Sequence, residues 1–231
     1  MIPRDLFTHP LFGITLTVAV YMVSKGLSSR FTWLHPLFVT SLGIIAFLLL
    51  SGIPYEAYRV GGDAIAFFLG PATVAIGVPL YKHGQRIRRS LGPVLAGIMT
   101  GSIVGMTSSG LLAWWLGGSR EIILSMIPKS VTTPISMEIS AQIGGYPELT
   151  ATVTVLAGLL GSMIGPEVLR LLGIRRDIPL GAAIGTSSHG IGTARLLGEN
   201  ELAGSVSGFA MGVAGIVHSI LAIPIQFWPM D

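Results

Sequence analysis

The sequence predicts an all-α integral membrane protein that crosses the bilayer several times. Hydrophobic residues make up 51% of the 231 positions, and charged residues make up only 11%. A soluble domain carries roughly 25% charged residues, so this chain has too few polar groups to cover a water-facing surface. The mean hydropathy is +0.73. The charged residues also fall in short clusters between long apolar runs, as is typical of a multi-pass membrane protein.

A membrane-crossing helix needs about 20 apolar residues, so roughly six to eight such segments fit into this length. No room remains for a separate soluble domain, and we predict a single membrane domain over residues 1–231. Residues 1–54 contain two uncharged helices, at about Phe7–Ser24 and Leu34–Ser51, which we interpret as scaffold. Residues 55–231 contain interrupted apolar segments that we interpret as the transporting part.

The first interrupted segment covers residues 55–81. It contains Gly70-Pro71 and, further on, Gly77 and Pro79. Because proline lacks a backbone donor and clashes with the preceding helical turn, we expect the helix to be interrupted at both places.

The second interrupted segment, residues 121–145, is apolar at both ends and carries Lys129-Ser-Val-Thr-Thr-Pro134 in the middle. A buried ammonium costs at least a few kcal/mol in a membrane, so such a residue usually faces a pathway or a partner. Lysine, hydroxyls and the free amides of a broken helix together suit a small carboxylate. The alternative is structural: Lys129 extends to the membrane surface or pairs with Glu138.

The third interrupted segment covers residues 178–197 and is broken by Gly185-Thr-Ser-Ser-His-Gly-Ile-Gly-Thr193. Because a histidine side chain ordinarily titrates near neutral pH, His189 is either a substrate or proton contact or a structural hydrogen-bond partner. The glycines either admit a ligand close to the backbone or allow tight helix packing. His218 stands alone in the last apolar helix, and we interpret it as a satisfied helix–helix contact.

Each interrupted segment precedes a continuous helix, which predicts a unit that is repeated up to three times. Topology follows from the basic clusters at 25–30, 82–89 and 170–176, which should all be cytoplasmic. All three clusters lie on the cytoplasmic side only if residues 121–145 form a re-entrant hairpin. Such a hairpin enters and leaves the membrane on the same side.

The candidate substrate-binding residues are the cations, hydroxyls and imidazole of the three breaks: Lys129, Ser130, Thr132, Thr133, Thr186, Ser187, Ser188, His189 and Thr73. The candidate helix-break residues are Gly70, Pro71, Pro134, Gly185, Gly190 and Gly192. The chain contains no Cys, no HExxH spacing and no phosphate-binding loop. We therefore expect no enzymatic activity, no metal or other cofactor, and no nucleic-acid partner.

Three motifs resemble those of the LrgB/CidB family of bacterial membrane proteins. They are Phe68-Leu-Gly-Pro-Ala-Thr-Val-Ala75 with Pro79-Leu-Tyr-Lys82, Pro128-Lys-Ser-Val-Thr-Thr-Pro134, and Gly185-Thr-Ser-Ser-His-Gly-Ile-Gly-Thr-Ala194. The resemblance covers nearly the whole chain. It implies a bacterial cytoplasmic membrane protein, and it implies one of two functions.

In the first, the chain carries small monocarboxylates, since a plastid relative exchanges glycolate and glycerate and bacterial relatives are linked to pyruvate uptake. In the second, the chain is a non-transporting antiholin-like or holin-like regulator of murein hydrolases that acts with an LrgA/CidA-like membrane partner. The polar broken helices favour a transporter, with a proton as the candidate coupling ion. By fold-level analogy this transporter would be an elevator-like homodimer.

Overall fold

The structure, a computed structural model, describes residues 9–31, 36–225 and 227. Throughout these ranges the regular structure is helical. The helices are α1 (Pro10–Arg30), α2 (Pro36–Ser51), α3 (Tyr55–Ala66), α4 (Leu69–Arg89), α5 (Leu91–Trp115), α6 (Arg120–Met126), α7 (Thr133–Ile143), α8 (Pro147–Leu171), α9 (Asp177–Glu199) and α10 (Glu201–Ile225).

Five helical segments of the described chain are long and apolar enough to cross a bilayer: Pro10–Arg30, Tyr55–Arg89, Leu91–Trp115, Pro147–Leu171 and Glu201–Ile225. The prediction of an all-α membrane protein is therefore confirmed, while the count of six to eight segments stays a prediction. The predicted helix starts at Phe7 and Leu34 and the last residues of the final helix lie outside the described residues.

The chain forms two compact units, residues 1–75 and 76–231. In unit 1, α1 crosses α3 where Gly13 faces Gly61, and a Cβ atom on either glycine would overlap the backbone of the other helix. Glycine therefore permits this close crossing, as small residues do between membrane helices. Thr17 and Tyr58 share a hydrogen bond of 3.0 Å across it. The predicted roles of residues 1–54 and 55–231 stay predictions.

The expected second interruption of the 55–81 segment is wrong, because α4 continues through Gly77 and Pro79. A membrane helix tolerates an internal proline when its surroundings accommodate the freed carbonyl group. The helix break itself lies at Phe67-Phe68, between α3 and α4. Gly70 and Pro71 fall in the first turn of α4, where backbone N–H groups have no intrahelical partner and a proline therefore costs little.

In unit 2, α6 and α7 form a helical hairpin, here called the first hairpin. Their 7 and 11 residues extend about 10 and 16 Å, too short to cross a hydrocarbon core of about 30 Å. After α7 the chain returns to the last turn of α6, because Tyr146 N donates to Ser125 Oγ over 2.7 Å and Thr150 Oγ1 donates to Ser125 O over 2.9 Å. Gly144 ends α7 in the left-handed conformation that glycine adopts readily.

Helix α9 is also folded back on itself, and residues 177–199 are here called the second hairpin. His189 has φ 40° and ψ −133°, which reverses the chain within the helix. The two ends meet, since Asn200 Nδ2 donates to Asp177 Oδ1 over 3.2 Å. A straight helix of 23 residues would separate its ends by about 34 Å. The sequence predicts a broken helix at this position but not the reversal of direction.

The two hairpins enter unit 2 from opposite ends. From α6 to the tip of the first hairpin, the chain passes Gly110 and then Gly105 of α5, so this arm runs antiparallel to α5. The first arm of the second hairpin instead runs parallel to α5 and antiparallel to α8, since it passes Gly165 and then Gly158 of α8. Each of α5 and α8 is thus followed by a hairpin, and the two helix–hairpin pairs run in opposite directions.

The basic residues in the C-terminal half of α4 and in the last turn of α8 lie at the same end of unit 2, here called the basic end. Lys82 pairs with Glu201 at the start of α10, over 3.2 Å, and Arg170 pairs with Glu199 over 3.2 Å. This arrangement agrees with the positive-inside pattern that led us to expect a re-entrant segment at residues 121–145.

Candidate anion-binding site

A cavity of about 890 Å³ extends within unit 2 from the basic end to the tip of the first hairpin. Its outer part is lined by Ser90, Arg176 and Asp177, and its inner end by Lys129 and Ser130. The wall between them comes from α5 and from the first arm of the second hairpin. Four of the nine predicted substrate-binding residues line this cavity: Lys129, Ser130, Thr186 and Ser187.

Lys129 is a half-buried cation at the closed end of the cavity. Its Nζ approaches Ser130 Oγ at 3.4 Å, which is a weak contact for an ammonium. Among the described residues it forms no ion pair with a carboxylate. An ammonium with unused donors at membrane depth is therefore available to an anion that enters the cavity.

One of the two structural alternatives for Lys129, a pair with Glu138, is not what the structure shows. Glu138 is exposed on α7 and accepts a hydrogen bond of 3.0 Å from Gln142 Nε2, one turn further along the same helix. The carboxylate is therefore engaged within α7, and the Lys129 charge is left to the cavity.

The N-terminus of α7 follows directly after the cavity-lining Ser130. Thr132 is its N-cap, and no side chain caps the first turn. Thr133 and Pro134 open the helix, and their hydroxyl and ring lie outside the cavity lining. The free amides of a helix N-terminus carry about half a positive charge, which adds to that of Lys129 at this end of the cavity.

Thr186 and Ser187 bring hydroxyls from the second hairpin to the same cavity. Thr186 is buried, and its Oγ1 donates to Ala182 O over 2.8 Å. Ser187 is exposed to the cavity, and its Oγ lies 3.1 Å from Ser188 Oγ. Of the two hydroxyls, the one on Ser187 is the more available to a ligand.

Ser188 and His189 form the buried tip of the second hairpin and lie outside the cavity lining. The His189 ring is 4% exposed, and its Nε2 lies 3.0 Å from Thr154 O of α8. Because a carbonyl only accepts, Nε2 carries the proton of this hydrogen bond. A positive φ is costly for a residue with a Cβ atom, so these contacts must hold the reversal in place.

The glycines of the second hairpin serve different purposes. A Cβ atom at Gly185 would overlap the backbone of Ser207 on α10, whereas one at Gly192 would lie 2.6 Å from Ile184 Cγ2 of the opposite arm. A Cβ atom at Gly190 would meet only Met211 Sδ, at 3.8 Å. Gly185 and Gly192 therefore permit close packing, while Gly190 has space around it.

Thr73, Gly70 and Pro71 belong to unit 1. All three are exposed on α4, and Thr73 Oγ1 donates to Leu69 O over 2.7 Å. The cavity described above is lined by residues of unit 2 alone.

Sequence reasoning missed several cavity residues. Arg176 adds a second cation near the opening, beside Asp177, and Gly101 and Gly105 form one face of α5 against Thr186 and Ser130. The four-residue spacing of these glycines in an apolar helix was the available signal, since it places small residues on one face. For Arg176, the sequence indicated only a cytoplasmic cluster.

Fold and site together define a multi-pass α-helical membrane protein with a cavity whose lining includes a half-buried lysine. The chain belongs to the LrgB-like family, which matches residues 17–228. It is 38% identical over 209 residues to the uncharacterized protein YwbG of Bacillus subtilis, covering 90% of this chain and 93% of that protein.

Two further relatives are similar over comparable lengths. The uncharacterized protein YxaC of Bacillus subtilis is 37% identical over 217 residues, covering 93% of this chain and 94% of the relative. An uncharacterized protein of Haemophilus influenzae is 37% identical over 209 residues, covering 90% of each chain. No solved structure matches this chain. In the described residues, no group of three or more His, Cys, Asp or Glu is arranged to hold a metal ion.

Proposed function

We propose that this chain is a secondary transporter of small monocarboxylates of the size of pyruvate, glycolate or glycerate. The observation that carries the proposal is Lys129, an ammonium without an ion-pair partner in the described residues, at the closed end of a cavity of about 890 Å³. A carrier needs such a site in the membrane, and charged groups at membrane depth commonly mark substrate pathways.

The meeting of two hairpins at the cavity supports a carrier rather than an enzyme or a plain pore. Secondary transporters bind substrate near the midplane, where interrupted helices direct their N-terminal partial charges at anionic groups. Here the first hairpin supplies Lys129 and Ser130, and the second supplies Ser187. Carboxylate oxygens would accept hydrogen bonds from all three.

We further propose an elevator-like homodimer in the bacterial cytoplasmic membrane, with unit 1 as scaffold and dimer interface and unit 2 as the substrate-carrying part. Support comes from the restriction of the cavity lining to unit 2 and from the two oppositely directed helix–hairpin pairs. The basic end would face the cytoplasm, because cytoplasmic loops carry an excess of Lys and Arg. The described cavity would then be open to the cytoplasm.

The proposal is tested by uptake of labelled pyruvate, glycolate and glycerate into proteoliposomes, with native protein and with Lys129→Met and Lys129→Arg. Native protein should show saturable uptake. Lys129→Met should lose about 10- to 100-fold in apparent affinity, since a charge-assisted hydrogen bond contributes about 1.5–3 kcal/mol. Lys129→Arg, which keeps the charge, should lose less.

Absence of uptake for all three acids, with folded native protein and also after adding an LrgA-like partner, would contradict the transport proposal. It would favour the regulator of murein hydrolases instead. Saturable uptake that is equal in Lys129→Met and native protein would retain a carrier but contradict the assigned anion site.

A further inference from the structure

The core of unit 2 contains two separate apolar clusters along α5 and α10. One includes Ile98 of α5 and Ala214 of α10, and the other includes Met106 of α5 and Ala222 of α10. On each helix, the residue named from one cluster is eight positions from the residue named from the other, so the two share a face. The position midway between them, on the same face, lies in the gap between the two clusters.

Both midway positions are polar. Ser102 stands between Ile98 and Met106, and His218 stands between Ala214 and Ala222, each fully buried at 0% exposure. Ser102 Oγ and His218 Nε2 have no hydrogen-bond partner in the described structure. The expectation of a satisfied His218 is therefore wrong for one of its two ring nitrogens. Buried polar atoms are nearly always paired, so an unpaired one calls for an explanation.

The tip of the first hairpin passes through the same gap. Ile127 belongs to the cluster around Met106, and Val131 belongs to the cluster around Ile98. Lys129 lies between them in the chain, and its charge is close enough to His218 for the two groups to interact electrostatically. Ser102, Lys129 and His218 therefore form a polar layer between two apolar clusters.

The protonation of the His218 ring follows from its one hydrogen bond. Nδ1 lies 2.8 Å from Ala214 O, one turn earlier in α10, and because a carbonyl only accepts, Nδ1 carries a proton. In the neutral ring, Nε2 then carries a lone pair, and no hydrogen-bond donor of the described structure contacts this nitrogen. This nitrogen is a base without a partner.

The other elements that pack against α10 bring no competing charge to this ring. On α5, the buried residue midway between the two clusters is Ser102, which is uncharged. From α7, Ile135 faces Gly215, and the Glu138 carboxylate is exposed and bonded to Gln142. At the tip of α9, the His189 ring is bonded to Thr154 O of α8. Among the described residues, Lys129 is the charged group that acts on His218.

We propose that His218 Nε2 is a proton-binding site coupled to anion binding at Lys129. While the cavity is empty, the Lys129 charge opposes a second positive charge on the buried ring. A carboxylate bound to Lys129 offsets that charge, and Nε2 can then bind one proton that enters from solution. The proton leaves Nε2 when the anion leaves Lys129. By linkage, the proton must favour anion binding by the same factor.

This inference rests on the proposed function, and it assigns the coupling ion and the residue that carries it. It also separates the roles of two histidines. His189 uses Nε2 in a structural hydrogen bond at the hairpin tip, whereas His218 Nε2 has no hydrogen-bond partner in the described structure and its ring interacts electrostatically with Lys129. One proton carried with each monocarboxylate anion makes the transported pair electrically neutral.

The first test compares two modes of uptake in proteoliposomes for native protein, His218→Gln and the exposed control His9→Gln. One mode is exchange without a pH gradient, and the other is accumulation driven by an inside-alkaline gradient. In His218→Gln the ratio of gradient-driven to exchange uptake should fall about tenfold, a typical coupling magnitude. His9→Gln should keep the native ratio. A native ratio in His218→Gln, or exchange by native protein without any response to the gradient, would overturn the assignment.

The second test needs no transport and therefore separates this inference from the proposed function. The protein is labelled with ¹⁵N-histidine, the His218 signals are identified by their loss in His218→Gln, and the ring is titrated by NMR. In Lys129→Met, Nε2 should bind a proton at higher pH than in native protein, because the opposing charge is gone. An identical titration in the two proteins would overturn the coupling, even if all three acids were transported.

Discussion

The two hairpins of unit 2 reach the centre of the molecule by different means. The first reverses direction through residues 127–132, which lie outside any α-helix and bring a lysine and a hydroxyl to the cavity. The second reverses at one residue, His189, and holds it with a buried hydrogen bond. The first hairpin thus contributes a charged side chain to the site. The second contributes one wall of the cavity, and a buried hydrogen bond fixes the reversal of this hairpin.

The difference extends to how each hairpin is fastened to its neighbours. Arg195 on the return arm of the second hairpin pairs with Glu167 over 2.6 Å and with Glu199 over 2.7 Å, and it donates to the carbonyls of Ser162 and Met163. The first hairpin is held by hydroxyl contacts, among them Thr150 to Ser140 at 2.7 Å and Thr154 to Ser136 at 3.0 Å. The second hairpin is thus held partly by ion pairs, and the first is held by buried hydroxyl contacts.

The largest loss of stability is expected from adding a side chain where the second hairpin packs closely against α10. Gly185→Ala should lower the free energy of unfolding by about 3 kcal/mol, the upper range for overpacking, because its Cβ atom would overlap the Ser207 backbone. Gly190→Ala, five residues away in the same hairpin, should change it by less than about 1 kcal/mol. Thermal unfolding in detergent measures both. Equal midpoints for the two variants would mean that α9 and α10 are not packed this closely.

A smaller effect is expected from weakening the ionic fastening. Arg195→Gln should destabilise the protein by about 1–3 kcal/mol, since several charge-assisted hydrogen bonds are lost at a partly exposed site. Arg195→Lys keeps the charge but not the forked geometry, so it should fall between native and Arg195→Gln. Hydrogen exchange should show faster opening of residues 190–199 in Arg195→Gln. Unchanged exchange there would contradict the proposed difference between the hairpins.

The smallest effect concerns the cavity hydroxyls. Ser187→Ala should reduce apparent substrate affinity by about 2- to 10-fold, the contribution of a neutral hydrogen bond. Thr186→Val should reduce it less, because the Thr186 hydroxyl already donates to Ala182 O. Concentration dependence of uptake for the two variants gives the comparison. A greater loss in Thr186→Val than in Ser187→Ala would reverse the roles assigned to them.

Much of the fold could be predicted because membrane helices can be recognised from their amino-acid composition. The scarcity of charge and the long apolar runs predict the all-α membrane class, and the basic clusters led to the expectation of a re-entrant segment at residues 121–145. Gly77 and Pro79 were misleading, because an isolated proline weakens a helix locally without ending it. Local sequence does not show whether neighbouring elements accommodate the freed carbonyl group.

The candidate site was less accessible to sequence reasoning. Lys129 and Ser187 were found because charge and hydroxyls are conspicuous in apolar segments, and both line the cavity. The reversal at His189 depends on a bond to a backbone carbonyl of α8, 35 positions earlier in the chain, which leaves no mark in the local pattern. His218 looked like an ordinary contact because only the packed structure shows that its Nε2 has no partner.

The central claim is that a carboxylate binds in the cavity that ends at Lys129, and thiol protection tests it most directly. The chain contains no Cys, so Ala183→Cys in the cavity wall and Gly198→Cys outside it each provide a single reactive thiol. Both are labelled in purified protein with a charged maleimide. Pyruvate, glycolate or glycerate should slow labelling at position 183 but not at 198, and the protection should disappear when Lys129→Met is added. Labelling at position 183 that ignores all three acids, or protection that survives without Lys129, would contradict the claim.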